Sequence, residues 1–258
     1  MRADVAELSV RKDERRKKGV WRFVEVVTGN FRDLSKLSLL FSICALPSVV
    51  AFLLGFFGFQ TGIMYILALL TAFPVGGAFS ACAFCITKML RDEPGYVLHD
   101  FKRKFLENSL QSAVLGMLCA MFVYAQVFIW GPLIAGNAVD LAWLIMGIVI
   151  LLIFGMVAPY VFLQIAYIDL KTSQILINSI LISFINAPRS FMGAITGGVI
   201  WVVFALFLPN SLMAAPLFIL IGFSVSWLLC FMWVWPNVDK QFRIEETLRD
   251  RKMNETNG

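Results

Sequence analysis

The sequence predicts an all-α protein that crosses a membrane several times, and three observations lead to this fold class. Of its 258 residues, 59% are hydrophobic and only 15% are charged, whereas charged residues make up about 25% of a soluble domain. Residues 37–87 contain no Asp, Glu, Lys or Arg, and further uncharged runs follow. The short alternating segments of a membrane β-barrel are missing. Helices satisfy their own backbone hydrogen bonds in hydrocarbon, so the spans are predicted to be helical.

Six apolar runs are long enough to cross a bilayer, which takes about 20 residues each. They divide the chain into a basic, amphipathic N-terminal segment (1–36), a six-helix membrane domain (37–238) and a charged tail (239–258). This length leaves no room for an appended soluble domain. The predicted spans are residues 37–59, 63–87, 109–134, 141–168, 190–208 and 213–235.

The distribution of positive charge predicts the orientation of the bundle. All 22 Lys and Arg residues lie in the two terminal segments, in the loop after the second span or in the loop after the fourth. The connections near residues 60–62, 135–140 and 209–212 contain none. Because positive residues are retained on the cytoplasmic side, both termini and both longer loops are predicted to be cytoplasmic.

Two segments have the pattern of amphipathic helices at the membrane interface. In the N-terminal segment Val20, Val24 and Phe31 recur with helical spacing, and Trp21 and Arg22 suit the headgroup region. A basic cluster this close to a span favours lipid over nucleic acid as its partner. Residues 171–189 have a polar face at spacings of three and four. That face consists of Lys171, Gln174, Asn178, Ser179, Ser183 and Asn186.

The residues that carry most enzyme chemistry are scarce in this chain. The five cysteines lie in apolar runs, where a thiol packs as a small hydrophobe, and we expect no disulfide. Cys82 and Cys85 form one C-x-x-C with no second pair to complete a metal site. His99 is the only histidine, and no nucleophile, phosphate-loop or zinc motif accompanies it. We therefore expect no enzyme activity, no metal and no cofactor.

Neutral polar residues inside the spans allow two interpretations. Interhelical hydrogen bonds are one, and a path for a small neutral solute is the other. The residues concerned are Tyr124, Gln126, Tyr160 and Gln164. Gln126 and Gln164 lie at different depths and are not expected to pair. Small or kinking residues predict close helix packing; these are Pro74, Gly76, Gly77, Gly193 and Gly197.

The loop over residues 88–108 is the densest cluster of charge between the termini. Its acidic and basic residues are nearly equal in number, so attraction to lipid alone does not explain it. A solvated connector is one interpretation, and a docking surface for a partner is the other. The docking candidates are Arg91, Asp92, Glu93, His99, Asp100, Phe101 and Phe105.

The sequence of this loop, together with the adjoining parts of the second and third spans, resembles that of a known family. The stretch FPVGGAFSACAFCITKMLRDEPGYVLHDFKRKFLENSLQSAVLG, residues 73–116, resembles the signature of the YesL-like family of bacterial integral membrane proteins. Phe101, Phe105 and Asn108 match its F-x-x-x-F-x-x-N entry into the third span. DLKTSQILINSILISFINAPRS is similar to the family's second cytoplasmic segment. The chain differs in having Pro-Val-Gly-Gly at 74–77, where the family more often has Pro-Ala-Thr.

The resemblance implies an all-helical protein of the bacterial cell membrane, of undefined function, often encoded near carbohydrate ABC-importer genes. It leads to the expectation of a non-enzymatic accessory component of carbohydrate uptake. Such a protein would bind the importer's membrane or nucleotide-hydrolysing subunits through residues 88–108 and 171–189. The alternative is a carrier or channel for a small neutral solute that uses Gln126 and Gln164.

Overall fold

The computed structural model confirms the all-α fold class. It describes residues 19–59, 62–93, 95–134, 136–168, 170–207, 216 and 218–248, and these contain helices but no strand. The predicted basic run before residue 19, the tail beyond residue 248 and the connection at 209–212 lie outside the described residues.

Nine α-helices have both ends within the described residues, and residues 244–248 belong to a further helical segment. A π-helical turn, Leu54–Phe59, continues the second of the nine, and another, Phe218–Gly222, leads into the ninth. The helices are α1 (Val20–Gly29), α2 (Phe31–Leu53), α3 (Gly62–Leu70), α4 (Phe73–Leu90), α5 (Val97–Ile134), α6 (Leu141–Tyr167), α7 (Thr172–Ile185), α8 (Ala187–Phe207) and α9 (Phe223–Phe242).

Five helical segments are long and apolar enough to cross a membrane, so this is a multi-pass membrane protein. They are Phe31–Gly58, Gly62–Leu90, Val97–Leu133, Leu141–Tyr167 and Ile219–Phe242. A sixth span exists if α7 and the described part of α8, which meet at a bend of 100°, count as one. Residues 190–207 of the predicted fifth span, 190–208, fall in α8, and residue 208 lies outside the described residues.

Contacts between distant residues show which helix ends lie together. Arg22 of α1 donates a hydrogen bond to the carbonyl of Leu90 at the end of α4. The next residue, Arg91, contacts Tyr167 at the end of α6 and Trp235 near the end of α9. We call this the basic end. Helices α6 and α9 both end there, so the chain crosses the membrane an even number of times between these two ends, as the positions of Lys and Arg predict. If α7 were an additional crossing, the ends of α6 and α9 would lie on opposite sides.

The apolar runs have two different causes along the bundle. In α6 the first half exposes residues such as Leu141, Ile145 and Ile153 to the bilayer, whereas every residue from 158 to 166 is buried by protein. In α4, no residue from 75 to 90 is exposed. The half of the bundle toward the basic end is therefore a closely packed protein core, and α4 is its central helix.

Helix α5 is too long to be only a membrane span. Its 38 residues extend over about 57 Å at 1.5 Å per residue, compared with about 30 Å for the hydrocarbon of a bilayer. The charged residues of α5 all lie in its first three turns, 97–108. These turns extend past the hydrocarbon at the basic end and pack against α4.

Helix α7 turns part of its predicted polar face into the protein. Ser179 and Ser183 are fully buried, while the apolar residues Ile177, Leu181 and Ile185 are exposed. A helix nearly perpendicular to its neighbour α8, with an apolar outer face, is suited to lie along the membrane surface and contact lipid. The inward part of the predicted polar face therefore contacts α6 through Ser179, whereas Lys171 and Gln174 at the start of α7 are exposed.

Burial of the cysteines predicts their reactivity. All five are free thiols; Cys82, Cys85, Cys119 and Cys230 are buried, and Cys44 is partly buried. We expect maleimide to label none of the four buried thiols in the folded protein within minutes, and all five after denaturation in dodecyl sulfate, because labelling requires an accessible thiolate. Intact-mass spectrometry counts the adducts. Rapid labelling of four or more thiols in the folded state would contradict the packing of α4 and α9.

Candidate functional site

A buried arginine organises the basic end. Arg91 is only 6% exposed. The central carbon of its guanidinium lies 5.2 Å from the ring centroid of Tyr167 and 5.1 Å from that of Trp235. It donates a 3.0 Å hydrogen bond to the Tyr167 hydroxyl and lies 3.4 Å from a carboxylate oxygen of Glu93. A planar guanidinium can stack on aromatic rings and bind a carboxylate at once, so Arg91 ties together the ends of three helices.

The partners of Arg91 extend this cluster to the C-terminal segment. The Tyr167 hydroxyl lies 2.7 Å from that of Thr87, and the Trp235 indole donates to Glu245 at 3.3 Å. The chain reverses after α9 at Arg243, whose φ of 49° is left-handed, and Asp239 accepts the backbone N–H of Glu245 at 2.8 Å. The segment after α9 is thereby folded back onto the bundle.

Arg22 attaches α1 to the same end. Its Nη2 donates to the carbonyl of Leu90 at 2.8 Å and to Asp92 at 2.7 Å, and its Nη1 donates to Glu25 at 3.1 Å. Val26 of α1 is buried against the core. The exposed residues at the start of α1 are therefore held beside the loop that follows α4.

An ion pair also joins α4 to the protruding turns of α5, because Lys88 contacts Asp100 at 2.6 Å. Within α5, Lys104 contacts Glu107 at 2.8 Å. Phe101 is buried in the core. Ion pairs within the protein therefore involve several of the opposite charges that are nearly balanced in the sequence.

The structure divides the predicted docking residues into two groups. Arg91, Asp100 and Phe101 are buried, and Phe105 packs against Gly77. Glu93 is partly buried, while the side chains of Asp92 and His99 are exposed. The docking role stays a prediction, and only the exposed members are available to a partner.

Exposure identifies three further surface residues that sequence reasoning did not assign to docking. Tyr96, in the loop before α5, is 86% exposed, and Val20 and Trp21 at the start of α1 are 76% and 71% exposed. The sequence suggested lipid as the neighbour of α1. Nothing in it indicates that Arg22 would place this segment beside the loop after α4.

A second polar cluster lies where α6, α8 and α9 meet. The Tyr160 hydroxyl is 2.9 Å from that of Ser190 and accepts a 3.0 Å hydrogen bond from the amide of Asn237. Asn237 in turn accepts from Arg189 at 3.0 Å. Tyr160, Ser190 and Asn237 are all buried, so these contacts join three helices through hydrogen bonds away from water.

Gln164, one turn after Tyr160, donates to Ser179 of α7 at 2.9 Å and is fully buried. Its carbonyl oxygen and the hydroxyl of Ser183 have no hydrogen-bond partner in the described part of the chain. Each of these two groups has the capacity to accept a hydrogen bond from a small polar molecule.

The other two polar candidates lie elsewhere along the bundle. Tyr124 of α5 is hydrogen-bonded to Ser48 of α2. Gln126 accepts from the indole of Trp130, one turn along the same helix, at 2.8 Å. The four predicted residues thus form separate contacts, and the hydrogen-bond partners of Tyr124, Tyr160 and Gln164 are on other helices. These contacts agree with the interpretation as interhelical hydrogen bonds, and the unpaired carbonyl oxygen of Gln164 leaves the solute-path interpretation a prediction.

Tyr160→Phe is expected to lower the free energy of unfolding by about 1 kcal/mol, because the buried amide of Asn237 loses its acceptor. Thermal unfolding in detergent measures the effect. Tyr96→Phe is the matched control, since the same hydroxyl is removed from an exposed ring and no change is expected. Equal stability of the two variants would show that the cluster does not stabilise the fold.

The predicted packing residues lie at close helix contacts. A Cβ on Gly76 would overlap the backbone of Ser112 on α5. Added Cβ atoms on Gly77, Gly193 and Gly197 would lie 3.1–3.3 Å from neighbouring atoms. Pro74 occupies the first turn of α4, where its missing N–H costs nothing; α4 starts there after the break that separates it from α3.

The far end of the bundle has a cleft of about 480 Å³ between the ends of α5 and α6. Phe128, Pro132, Val139 and Trp143 are among the residues that line it, together with Asp140, which caps α6 by accepting the N–H of Ala142 at 3.3 Å. Within the described ranges, no three His, Cys, Asp or Glu side chains are grouped to hold a metal.

Fold and surface together define a class: an all-helical, multi-pass membrane protein whose Lys and Arg residues, in the part of the chain that the structure describes, gather at one end. No protein-family model matches the chain, and no curated protein and no solved structure matches it significantly.

Proposed function

We propose that the protein is a non-enzymatic accessory component of carbohydrate uptake in a bacterial cell membrane, and that it docks an ABC-type importer through its basic end. One observation carries this proposal. Arg22 holds the exposed start of α1 beside the exposed loop after α4. We call the resulting exposed set, Val20, Trp21, Asp92, Tyr96 and His99, the tip surface.

The composition of the tip surface supports a protein partner. Exposed Trp and Tyr are the residues that most often dominate the energy of protein interfaces. Here Trp21 and Tyr96 lie at the basic end, where the protruding turns of α5 extend past the hydrocarbon. A cytoplasmic nucleotide-hydrolysing subunit could reach this surface.

Helix α7 supports the contact with an importer's membrane subunit. Its exposed apolar face includes Ile177, Leu181 and Phe184. Lipid covers such a face in the free protein, and close packing with another membrane helix can replace that lipid. In this proposal, the predicted docking segment 88–108 contacts the nucleotide-hydrolysing subunit outside the membrane. The predicted docking segment 171–189 contacts the membrane subunit through apolar residues.

Affinity purification from the native cells tests the proposal. We expect importer subunits to be recovered with the parent protein and to be lost from a Trp21→Ser, Tyr96→Ser double variant. Trp143→Ser is the matched control, because this exposed Trp lies at the far end. Recovery that is equal for the parent and the double variant, or no importer subunit with the parent, would refute it. Phe101 and Phe105 are unsuitable test sites because they pack inside the protein.

A carrier or channel for a small neutral solute is the second candidate. The observation in its favour is the pair of buried acceptors, Gln164 and Ser183, that have no partner in the described ranges. Purified protein in liposomes, without ATP or any partner, would then take up a neutral sugar, and Gln164→Leu would abolish uptake. No uptake above that of empty liposomes would eliminate this candidate.

A further inference from the structure

The cleft at the far end of the bundle has aromatic walls. Its volume of about 480 Å³ suits a small organic ligand. Phe128 of α5 lines one side, and its ring centroid lies 5.5 Å from that of Phe56 and 5.6 Å from that of Tyr65. These edge contacts hold the Phe128 ring in place, yet the residue is still 49% exposed. Trp143 of α6, which is 55% exposed, lines the other side.

Close packing of α5 against α6 forms the floor of the cleft. Ile129 lines the cleft, and a Cβ added to Gly147 would lie 2.8 Å from the Cγ2 atom of Ile129. Gly147 lies one turn deeper in α6 than Trp143, so the two helices meet directly below the aromatic walls. A ligand therefore reaches the cleft from the headgroup region or the water at the far end.

The far end has one negative charge and no positive charge in the sequence. Asp140 is the only Asp, Glu, Lys or Arg between Glu107 and Asp169, and the connections near 60–62 and 209–212 contain none. Its Oδ1 accepts the N–H of Ala142 at 3.3 Å, and because Asp140 is exposed, its Oδ2 is accessible to a ligand. The full charge of this carboxylate exceeds the about half positive charge of a helix start, so the cleft attracts cations.

We propose that this cleft binds an organic ammonium group attached to an apolar body. The ammonium lies beside Asp140 and against the rings of Phe128 and Trp143, because aromatic faces and a carboxylate both attract a ligand cation. The apolar body packs on Pro132 and Val139, which also line the cleft. This site is separate from the tip surface and does not depend on the proposed function.

The lining of the cleft disfavours other classes of ligand. Asp140 would repel an anion. A sugar needs several hydrogen-bond partners for its hydroxyls, and among the described residues that line the cleft only Asp140 and Trp143 have polar side-chain atoms. An ammonium group that carries methyl groups needs no such set of partners, since it binds through its charge.

Equilibrium dialysis of the full chain in dodecyl maltoside tests the proposal, with benzyltrimethylammonium as the probe. We expect saturable binding by the parent, above that of empty micelles, and about tenfold weaker binding by Asp140→Asn. Asn caps a helix as well as Asp does, so thermal unfolding should be unchanged by this substitution. Glu246→Gln is the matched control, because it removes an exposed carboxylate at the basic end, and it should bind as the parent.

Trp143→Leu tests the aromatic wall separately from the charge. Leucine keeps an apolar side chain in the cleft but removes the aromatic face, so we expect about fivefold weaker binding of the probe. Three results would overturn the proposal: no saturable binding by the parent, equal binding by the parent and Asp140→Asn, or equal binding of phenylacetate, which has a similar body and the opposite charge.

A lipid headgroup and a free molecule can both supply the ammonium group. Phosphatidylethanolamine that displaces the probe from the parent, and that native mass spectrometry finds retained by the parent but lost from Asp140→Asn, would assign the site to a lipid. Probe binding that phosphatidylethanolamine does not reduce would assign it to a free amphiphilic cation. Either result supports an ammonium site at Asp140.

Discussion

Replacing Gly76 with alanine is expected to lower the free energy of unfolding by about 3 kcal/mol or more, because the added methyl group has no space. A Cβ at this position would overlap the carbonyl of Ser112, and one on Gly116 would overlap Gly76 in return. The obstacle is backbone, so no rotation of a side chain can relieve it. Helices α4 and α5 would have to separate along the most buried helix of the bundle. Thermal unfolding in detergent, together with the yield of folded protein, measures the effect.

Two other glycines provide a graded control for Gly76. A Cβ on Gly198 of α8 meets nothing within 4 Å, so Gly198→Ala should leave stability unchanged or raise it slightly through helix propensity. A Cβ on Gly197 would lie 3.1 Å from the carbonyl of Ser226, and its replacement should have an intermediate cost. If Gly76→Ala unfolds at the same temperature as Gly198→Ala, the close crossing of α4 and α5 is wrong.

Arg91→Ala is expected to destabilise the protein by about 3 kcal/mol. The substitution removes two cation–π contacts, each contributing about 0.5–2 kcal/mol, and a hydrogen bond from a charged group to Tyr167, which contributes about 1.5–3 kcal/mol. It also leaves a gap between Tyr167 and Trp235. Because the side chain is buried, the loss should be similar at low and high salt concentration. Thermal unfolding at both salt concentrations measures it.

Arg243→Ala is the control for the loss of positive charge at the basic end. Its side chain is 78% exposed and lies 3.9 Å from Glu246, a pair that contributes little. Arg91→Met retains much of the packing volume without the charge, and its stability should lie between those of the parent and Arg91→Ala. A small loss for Arg91→Ala, equal to that for Arg243→Ala, would mean that Arg91 does not join the helix ends.

Hydropathy was sufficient to predict the fold class. The positions of Lys and Arg were sufficient to predict which helix ends lie together at the basic end. Both signals arise from the bilayer, which excludes charge from every span whatever the arrangement of the helices. The predicted second span, residues 63–87, agrees with the apolar helical segment Gly62–Leu90. Hydropathy did not show that residues 75–90 are covered by protein, with α2, α5, α6 and α9 packed around α4.

Candidate-site residues were harder to predict because their partners are far away in sequence. Arg22 and Leu90 are 68 residues apart, and Arg91 and Tyr167 are 76 apart. Spacing offered one local signal: Phe101 and Phe105 are i, i+4 neighbours on an amphipathic helix, and this face packs inward. The buried serines of α7, Ser179 and Ser183, show the limit of the spacing pattern. Spacing predicts which residues lie on one face of the helix, but it does not predict whether that face contacts protein or lipid headgroups.

The central claim is that every charged segment lies on one side of the membrane, facing the cell interior. Cysteine accessibility in intact cells tests it most directly, with His99→Cys at the basic end and Ala138→Cys at the far end, both at exposed positions. A membrane-impermeant maleimide should label Ala138→Cys from outside, and His99→Cys only after the cells are permeabilised. Labelling of His99→Cys in intact cells would contradict the orientation, and labelling of both positions from outside would contradict the bundle topology itself.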